Sequence, residues 1–173
     1  LDYGRGFFVL GEKMELKKLD ASFYVDNPVL TQALDFDMQN QVWFTGDKVR
    51  GHGIVQIQIN KALTFAIPVR SNINHKGSLI LEVSKVKGIK GMGLDYSKAM
   101  LIKNAQHVSN DVFVLRTKNA GKKLINKETH VTSMFQAYVD KYIAAIKAED
   151  KNILNSLEYR FTTLVNYHTE LGL

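Results

Sequence analysis

Gly53-Ile54-Val55-Gln56-Ile57-Gln58-Ile59, Asn60-Lys61, then Ala62-Leu63-Thr64-Phe65-Ala66-Ile67-Pro68-Val69 is the stretch from which the fold reads outward. Val55, Ile57 and Ile59 recur every second residue, the period of a strand with one buried face. Asn60-Lys61 supplies a turn, and the run from Leu63 to Val69 returns as a second strand, so the segment predicts a hairpin. Pro68 has no N–H to give to a ladder. It therefore predicts an edge or a strand end that releases Arg70 and Ser71 into a loop.

Further strands are predicted over Leu79–Val83, Ala99–Ile102 and Val112–Leu115. Between the first two, Ser84 to Gly93 carries Gly88, Gly91 and Gly93 among three lysines and reads as a flexible basic loop, without either nucleotide-binding glycine spacing. Upstream, Asn27-Pro28 reads as cap and first position of a short helix over Pro28–Leu34, followed by a polar loop with Gly46-Asp47. Downstream the period becomes helical: Val131, Met134, Phe135, Tyr138, Tyr142, Ile143 and Ile146 share one face. A helix over about residues 129–149 is expected, capped by Thr129, with a second helical stretch after Asp150. Strands first and helices last predict an α+β domain with a small, mostly antiparallel sheet and a helical C-terminal region.

The chain has 173 residues, 45% of them hydrophobic, enough for one well-buried core and few for two. One domain over residues 14–173 is expected, with residues 1–13 read as an upstream extension or expression remnant. Phe7-Phe8-Val9-Leu10 is too short for a signal-peptide core. Zero cysteines exclude a disulfide scaffold and a thiolate nucleophile and fit a reducing, cytoplasmic setting. Neither a metal nor another cofactor is expected, since no His, Asp or Glu spacing suits a metal. The 23 Lys and Arg against 17 Asp and Glu leave a charge of +6, which favours a polyanionic partner. That charge is concentrated mid-chain. Lys61, Arg70, Lys76, Lys85, Lys87, Lys90, Lys98 and Lys103 face only Glu82 and Asp95.

Chemistry concentrates in Arg70-Ser71-Asn72-Ile73-Asn74-His75-Lys76. Arginine and lysine can donate to phosphate oxygens, serine and asparagine can hold a hydroxyl, and imidazole changes protonation near neutrality. This is the equipment of a metal-free ribonuclease. Arg70 and Lys76 are assigned as donors, Ser71 and Asn72 as positioning groups, and His75 as the proton-transfer group, because an amine would need a large downward shift to serve as base. Lys98 is a second phosphate contact, and Asp95 fixes a turn or a lysine. The structural alternative is a turn capped by Ser71 and Asn72, with His75 and Lys76 in water. The RNA groove is expected to draw further on Arg50, His52, Lys61, Lys85, Lys87 and Lys90. Arg160, Asn166, Tyr167 and His168 are expected to line it near the C-terminus, while Phe161 and Leu164 are assigned to the core. His107 and His130 are expected at the surface or in caps.

Three motifs in order carry a family resemblance: Ile67-Pro68-Val69-Arg70-Ser71-Asn72 with His75-Lys76; Gly93-Leu94-Asp95-Tyr96-Ser97-Lys98-Ala99; and Tyr159-Arg160-Phe161-Thr162-Thr163-Leu164 with Asn166-Tyr167-His168-Thr169-Glu170-Leu171-Gly172. From about Met14 to the C-terminus the chain resembles the TenpIN toxins of type III toxin-antitoxin systems, relatives of the ToxIN and CptIN toxins. The resemblance implies a small β-barrel core of the MazF and CcdB shape with added helices. It implies a metal-independent endoribonuclease that leaves 2′,3′-cyclic phosphate and 5′-hydroxyl ends on cellular and phage RNA. It also implies inhibition by a repeated pseudoknot RNA in a closed toxin-RNA assembly, and a role in abortive phage defence, away from membranes. Ser71 matches the family's active-site serine. Arg70 stands where relatives carry a hydroxyl residue, and Lys76 lies farther along than their lysine. A non-catalytic RNA-binding module and an oligomeric structural protein are the readings from other classes.

Overall fold

The computed structural model describes residues 13–44 and 49–173. The expected N-terminal extension, apart from Lys13, and the turn at Gly46-Asp47 lie outside the described residues. In chain order the strands are β1 (Leu16–Leu19), β2 (Phe36–Asp37), β3 (Val42–Trp43), β4 (His52–Gln58), β5 (Ala62–Ile73), β6 (Ser78–Val83), β7 (Gly91–Asp95), β8 (Met100–Ile102) and β9 (Val108–Phe113). The helices are α1 (Ala21–Asp26), α2 (Lys118–Lys122), α3 (Glu128–Lys147) and α4 (Lys151–Leu154). The fold is α+β, and every ladder described is antiparallel.

Seven strands run in the order β6-β7-β5-β4-β1-β9, with β8 also on β5, and β2 with β3 forms a separate ribbon. Among the described residues the ladder does not close, so the barrel implied by the family resemblance is not present as a closed hydrogen-bonded cylinder. The two ends of the sheet nevertheless approach one another: Thr117, just beyond β9, donates from Oγ1 to Glu82 of β6 at 3.3 Å. No helix among the described residues is long and apolar enough to cross a membrane.

The hairpin forms as the period of two predicts, with Ile54 opposite Ala66 and Gln56 opposite Thr64. Pro68 does not end it. β5 continues to Ile73, so Arg70 and Ser71 belong to a strand and not a loop. Val69 N–H is given to Gly51 on the β4 side, so the missing N–H of Pro68 falls on the other side. There β5 changes partner, from β8 at Ala66 to β7 at Val69. The proline occupies the one step where no donor is wanted.

Gly91 and Gly93 are in strand β7 and not in a flexible loop. A Cβ at Gly93 would stand 1.9 Å from Leu79 O, and one at Gly91 would stand 2.0 Å from Glu82 O, so β6 could not approach a side chain at either position. The helix expected over Pro28–Leu34 is absent. Asp20 instead caps α1 by accepting from Ser22 N at 2.9 Å, and Asn27 closes that helix by donating to Phe23 O. Gln32 and Asp35 take positive φ, which breaks any helix over the following turns. The last predicted strand starts earlier than expected, at Val108, because β9 pairs with β1 from Leu19↔Val108 to Leu16↔Phe113.

Helix α3 appears where the 3.6-residue period places it, but Thr129 does not cap it. The chain enters from Asn126 in the left-handed region through Lys127, which makes no side-chain cap bond. Its buried face comprises Val131, Phe135, Tyr138, Val139, Tyr142 and Ala145, whereas Met134 is exposed. Phe135 meets Phe65 of β5 edge-on at 5.1 Å. Truncating Phe65, which has no exposed surface, would cost about 3–5 kcal/mol. The helical stretch after Asp150 is a single turn, α4, followed by turns and a short 3-10 helix over Thr163–Asn166. Tyr159 stacks on Tyr138 at 4.5 Å and so fastens this tail along α3. His107, expected at the surface or in a cap, is buried against Phe23 and bonded to Asp26 at 2.7 Å; His130 is exposed.

Candidate active site

Where β5 exchanges β8 for β7, only Ile67 and Pro68 separate the two pairings, yet the opposite chain spends Asp95 to Ala99 crossing the same gap. The excess is a 3-10 turn, Tyr96–Lys98. Asp95 initiates it by accepting Ser97 N at 3.0 Å on Oδ1, the two-residue Asx spacing visible in Asp95-Tyr96-Ser97. The β5–β6 turn docks on it through Tyr96 N, which donates to Gly77 O, and is braced internally by Ser78 Oγ donating to His75 O.

Asp95 has no exposed surface and is the hub of the site. Arg70 Nη1 donates to Oδ2 at 3.0 Å, Ser97 Oγ donates to Oδ1 at 2.6 Å, and His75 Nε2 lies 3.2 Å from Oδ1. His75 Nε2 is also 3.3 Å from Ser97 Oγ. Since Ser97 spends its proton on Asp95, its oxygen is free to accept from the imidazole. His75 is only 4% exposed, and its Nδ1 is buried without a partner on the side of Gly77, which leaves Nε2 as the working nitrogen. Burial pushes the Asp95 carboxyl up, but His75, Ser97 and Arg70 together outweigh it and hold the group below its ordinary value.

Arg70, His75, Ser97, Lys98 and Arg160 line one cavity of about 350 Å³. Lys98 Nζ donates to Gln32 O at 2.9 Å and Phe161 O at 2.7 Å. Burial pushes its amine down to about 8, with Asp95 pulling it up and Arg70 pushing it further down. The cavity therefore offers two guanidinium groups, a lysine close to neutrality and an imidazole-hydroxyl pair braced by a carboxylate. Such a set can hold an anion and move a proton.

No family model, curated protein or solved structure matches this chain. The site therefore rests on its own geometry.

Of the residues expected to act together, Arg70, His75, Lys98 and Arg160 converge on this cavity, and Asn72 and Lys76 stand exposed at its end of β5. Ser71 does not join them. β5 has one extra residue between the Arg70↔Gly93 and Ile73↔Gly91 pairs, so Ser71 and Asn72 sit in a bulge, and Ser71 lines a second, larger cavity with Arg50. Arg50 is committed to Asp35, with Nη2 donating to Oδ1 at 3.0 Å, and to Val69 O. His52 is 2% exposed inside the sheet, paired with Lys17 and Pro68, out of reach of an RNA strand. Lys85, Lys87 and Lys90 are exposed on the β6–β7 connection. Lys61 is exposed at the far turn of the hairpin, about 30 Å of strand away from Arg70.

The C-terminal residues expected to line a groove divide. Asn166 brackets Thr31 through its backbone N–H and carbonyl, Tyr167 is buried against Phe65, and His168 bonds the Tyr142 hydroxyl at 2.8 Å. These three build the fold, and Arg160 alone reaches the cavity. Phe161, assigned from sequence to the core, is 52% exposed and lines the cavity beside it. Ser97 was visible only as part of a motif. The signal for it was the Asx spacing from Asp95.

Proposed function

We propose that this protein is an endoribonuclease whose centre is the Arg70–Asp95–His75–Ser97 cluster, acting as the toxin of a type III toxin-antitoxin system. The single observation that carries the reading is Asp95, fully buried and bonded on one oxygen to Arg70 and on the other to His75 and Ser97, three residues that line a cationic cavity. In this reading the RNA's own 2′-hydroxyl is the nucleophile. His75 holds its Nε2 proton toward Asp95 and Ser97, so it acts as the general acid: the imidazolium that Asp95 stabilises gives that proton to the departing 5′-oxygen, while the 2′-hydroxyl proton passes to solvent water. Arg70 and Lys98 donate to the phosphorane oxygens, worth roughly 3 kcal/mol for one well-placed donor. The products are a 2′,3′-cyclic phosphate and a 5′-hydroxyl, and the chemistry proceeds without a metal ion.

The three motifs that resemble the TenpIN toxins support the same reading, because the first two supply this cluster and the third supplies the cavity rim. The curled sheet, whose ends meet through Thr117 and Glu82, supports a core related to the barrel of that group. The inhibitor in such a system is a repeated pseudoknot RNA held in a closed complex with the toxin, and the setting is cytoplasmic phage defence. A non-catalytic RNA-binding module is the second reading. One observation favours it: Asp95 and His75 satisfy each other in the absence of substrate, as a purely structural pair would.

RNA-stripped protein incubated with a long transcript in EDTA separates the two. Discrete fragments ending in cyclic phosphate, lost in His75→Ala and Ser97→Ala, are expected. Intact transcript retained by folded protein would overturn the nuclease reading.

A further inference from the structure

We infer that Phe161 is a stacking platform for a single-stranded nucleobase flanking the phosphate held by Arg70 and Lys98. The inference rests on the ribonuclease reading for its ligand and deepens it by placing a base subsite. Phe161 is 52% exposed yet stands on a packed tail, and its ring is built as a fixture. Its neighbours Tyr159 and Thr162 are buried, at 3% and 0% exposure. The Tyr159 hydroxyl donates to Tyr138 O at 2.9 Å and the Tyr138 hydroxyl meets Thr162 Oγ1 at 3.1 Å, so the side chains flanking this segment are fastened to α3. Phe161 O itself accepts from Lys98 Nζ at 2.7 Å. The backbone that carries the ring is thus hydrogen-bonded to a cation of the phosphate site.

Arg160 lies with its guanidinium carbon 5.0 Å from the Phe161 ring centre. A flat cation over one part of a flat ring is the pairing that bases join in single-stranded RNA complexes, sequence-tolerant because every base has a π-face. The charge of the cavity fits the same ligand. Arg70, Lys98 and Arg160 line it, while Asp95 beneath is already bonded to Arg70, His75 and Ser97. A polyanion carrying flat apolar bases satisfies both the cations and the ring, whereas an acidic peptide satisfies only the cations.

The test uses RNA-stripped full-length protein and a set of fully 2′-O-methylated single-stranded RNA oligomers at low salt, each with 2-aminopurine at one position. These cannot be cleaved through the 2′-hydroxyl, so binding is read independently of nuclease activity. In wild type, fluorescence is expected to be quenched at one or two adjacent positions. Phe161→Trp is expected to keep the quench. Phe161→Leu, which retains apolar bulk without a π-face, and Phe161→Ala are expected to lose it and to bind roughly tenfold more weakly. Unchanged quenching and affinity in both variants would overturn the platform and leave the exposed ring to a protein contact. Absence of binding by wild type would overturn it too. If wild type fails to cut unmodified RNA but shows the Phe161-dependent quench, the nuclease reading falls and the base subsite stands.

Discussion

Arg70 and Ser71 are consecutive residues of β5 that serve opposite sides of it: Arg70 reaches Asp95 at 3.0 Å in one cavity, and Ser71 lines the other beside Arg50. The pleat sends neighbouring side chains to opposite faces, and the bulge at Ser71 and Asn72 does not bring them back. A serine chosen by its distance along the chain from Pro68 therefore lies outside the cavity that Arg70, His75 and Ser97 line. Ser71→Ala should leave RNA cleavage essentially unchanged, whereas Ser97→Ala should lower it roughly 100-fold or more. Side-by-side rates on one transcript decide the matter, and equal losses in the two variants would reject the assignment to Ser97.

Asp95 holds the site together as well as orienting it. Asp95→Asn keeps the shape but offers one acceptor oxygen where two now receive Arg70, His75 and Ser97. Breaking a buried pair from one side costs about 3–5 kcal/mol. Urea unfolding at neutral pH should register that loss. The pH dependence has a definite sign: a carboxyl held below its ordinary value contributes stability above the unfolded value of 3.8 and loses it as pH falls through the lower folded one. The variant's deficit should therefore shrink in acid. A deficit that stayed constant from neutrality into strong acid would mean that the carboxylate's charge is not what matters.

Much of this was legible in the chain because it depends on local rules. The period of two fixed the β4–β5 hairpin, the 3.6-residue period fixed α3, and the clustering of Arg70, His75 and Lys98 pointed toward one site. What escaped depends on pairing between distant segments. Pro68 looks like a strand end until β7 and β8 are known to exchange on its far side, and Gly91 and Gly93 look like loop until β6 is laid against them. Phe161 reads as core and Tyr167 as surface, when their exposures are the reverse, because a tail of turns and one short 3-10 helix is too irregular for a period from which a face could be read.

Burial of His52 between β1 and β5 gives the fold an acid limit. Desolvation pushes the imidazole down to about 4 from 6.5, and hydrogen bonds to the backbone of Lys17 and Arg50 pull it back only in part. The unfolded chain binds this proton first, so stability falls as pH drops from 6.5 toward 4, by about 3 kcal/mol in full. Replacement by the neutral, similarly polar His52→Gln should lower stability at pH 7 yet flatten the curve in that window. Parallel curves for the two proteins, followed by chemical unfolding at several pH values, would remove His52 as the source.

Lys98 should titrate within reach of physiological pH, and its effect on stability runs opposite to that of a surface lysine in an ion pair. Its two hydrogen bonds, to Gln32 O and Phe161 O, bind the turn after α1 and the C-terminal tail to the site, and they survive deprotonation because a neutral amine still donates. Between about 8 and 10.5 the unfolded chain holds the proton and the folded chain does not, so stability rises with pH across that window. Lys98→Met removes both donors and should cost roughly 1–3 kcal/mol for each carbonyl left without a partner. Measured from pH 7 to pH 10, the gap between wild type and Lys98→Met should widen. Side-chain NMR of carbon-13-labelled lysine should show one resonance with its midpoint near 8 while the surface lysines titrate later. A common midpoint near 10.5 for every lysine would mean that Lys98 is solvated in the folded protein, and the cavity would then lose its near-neutral amine.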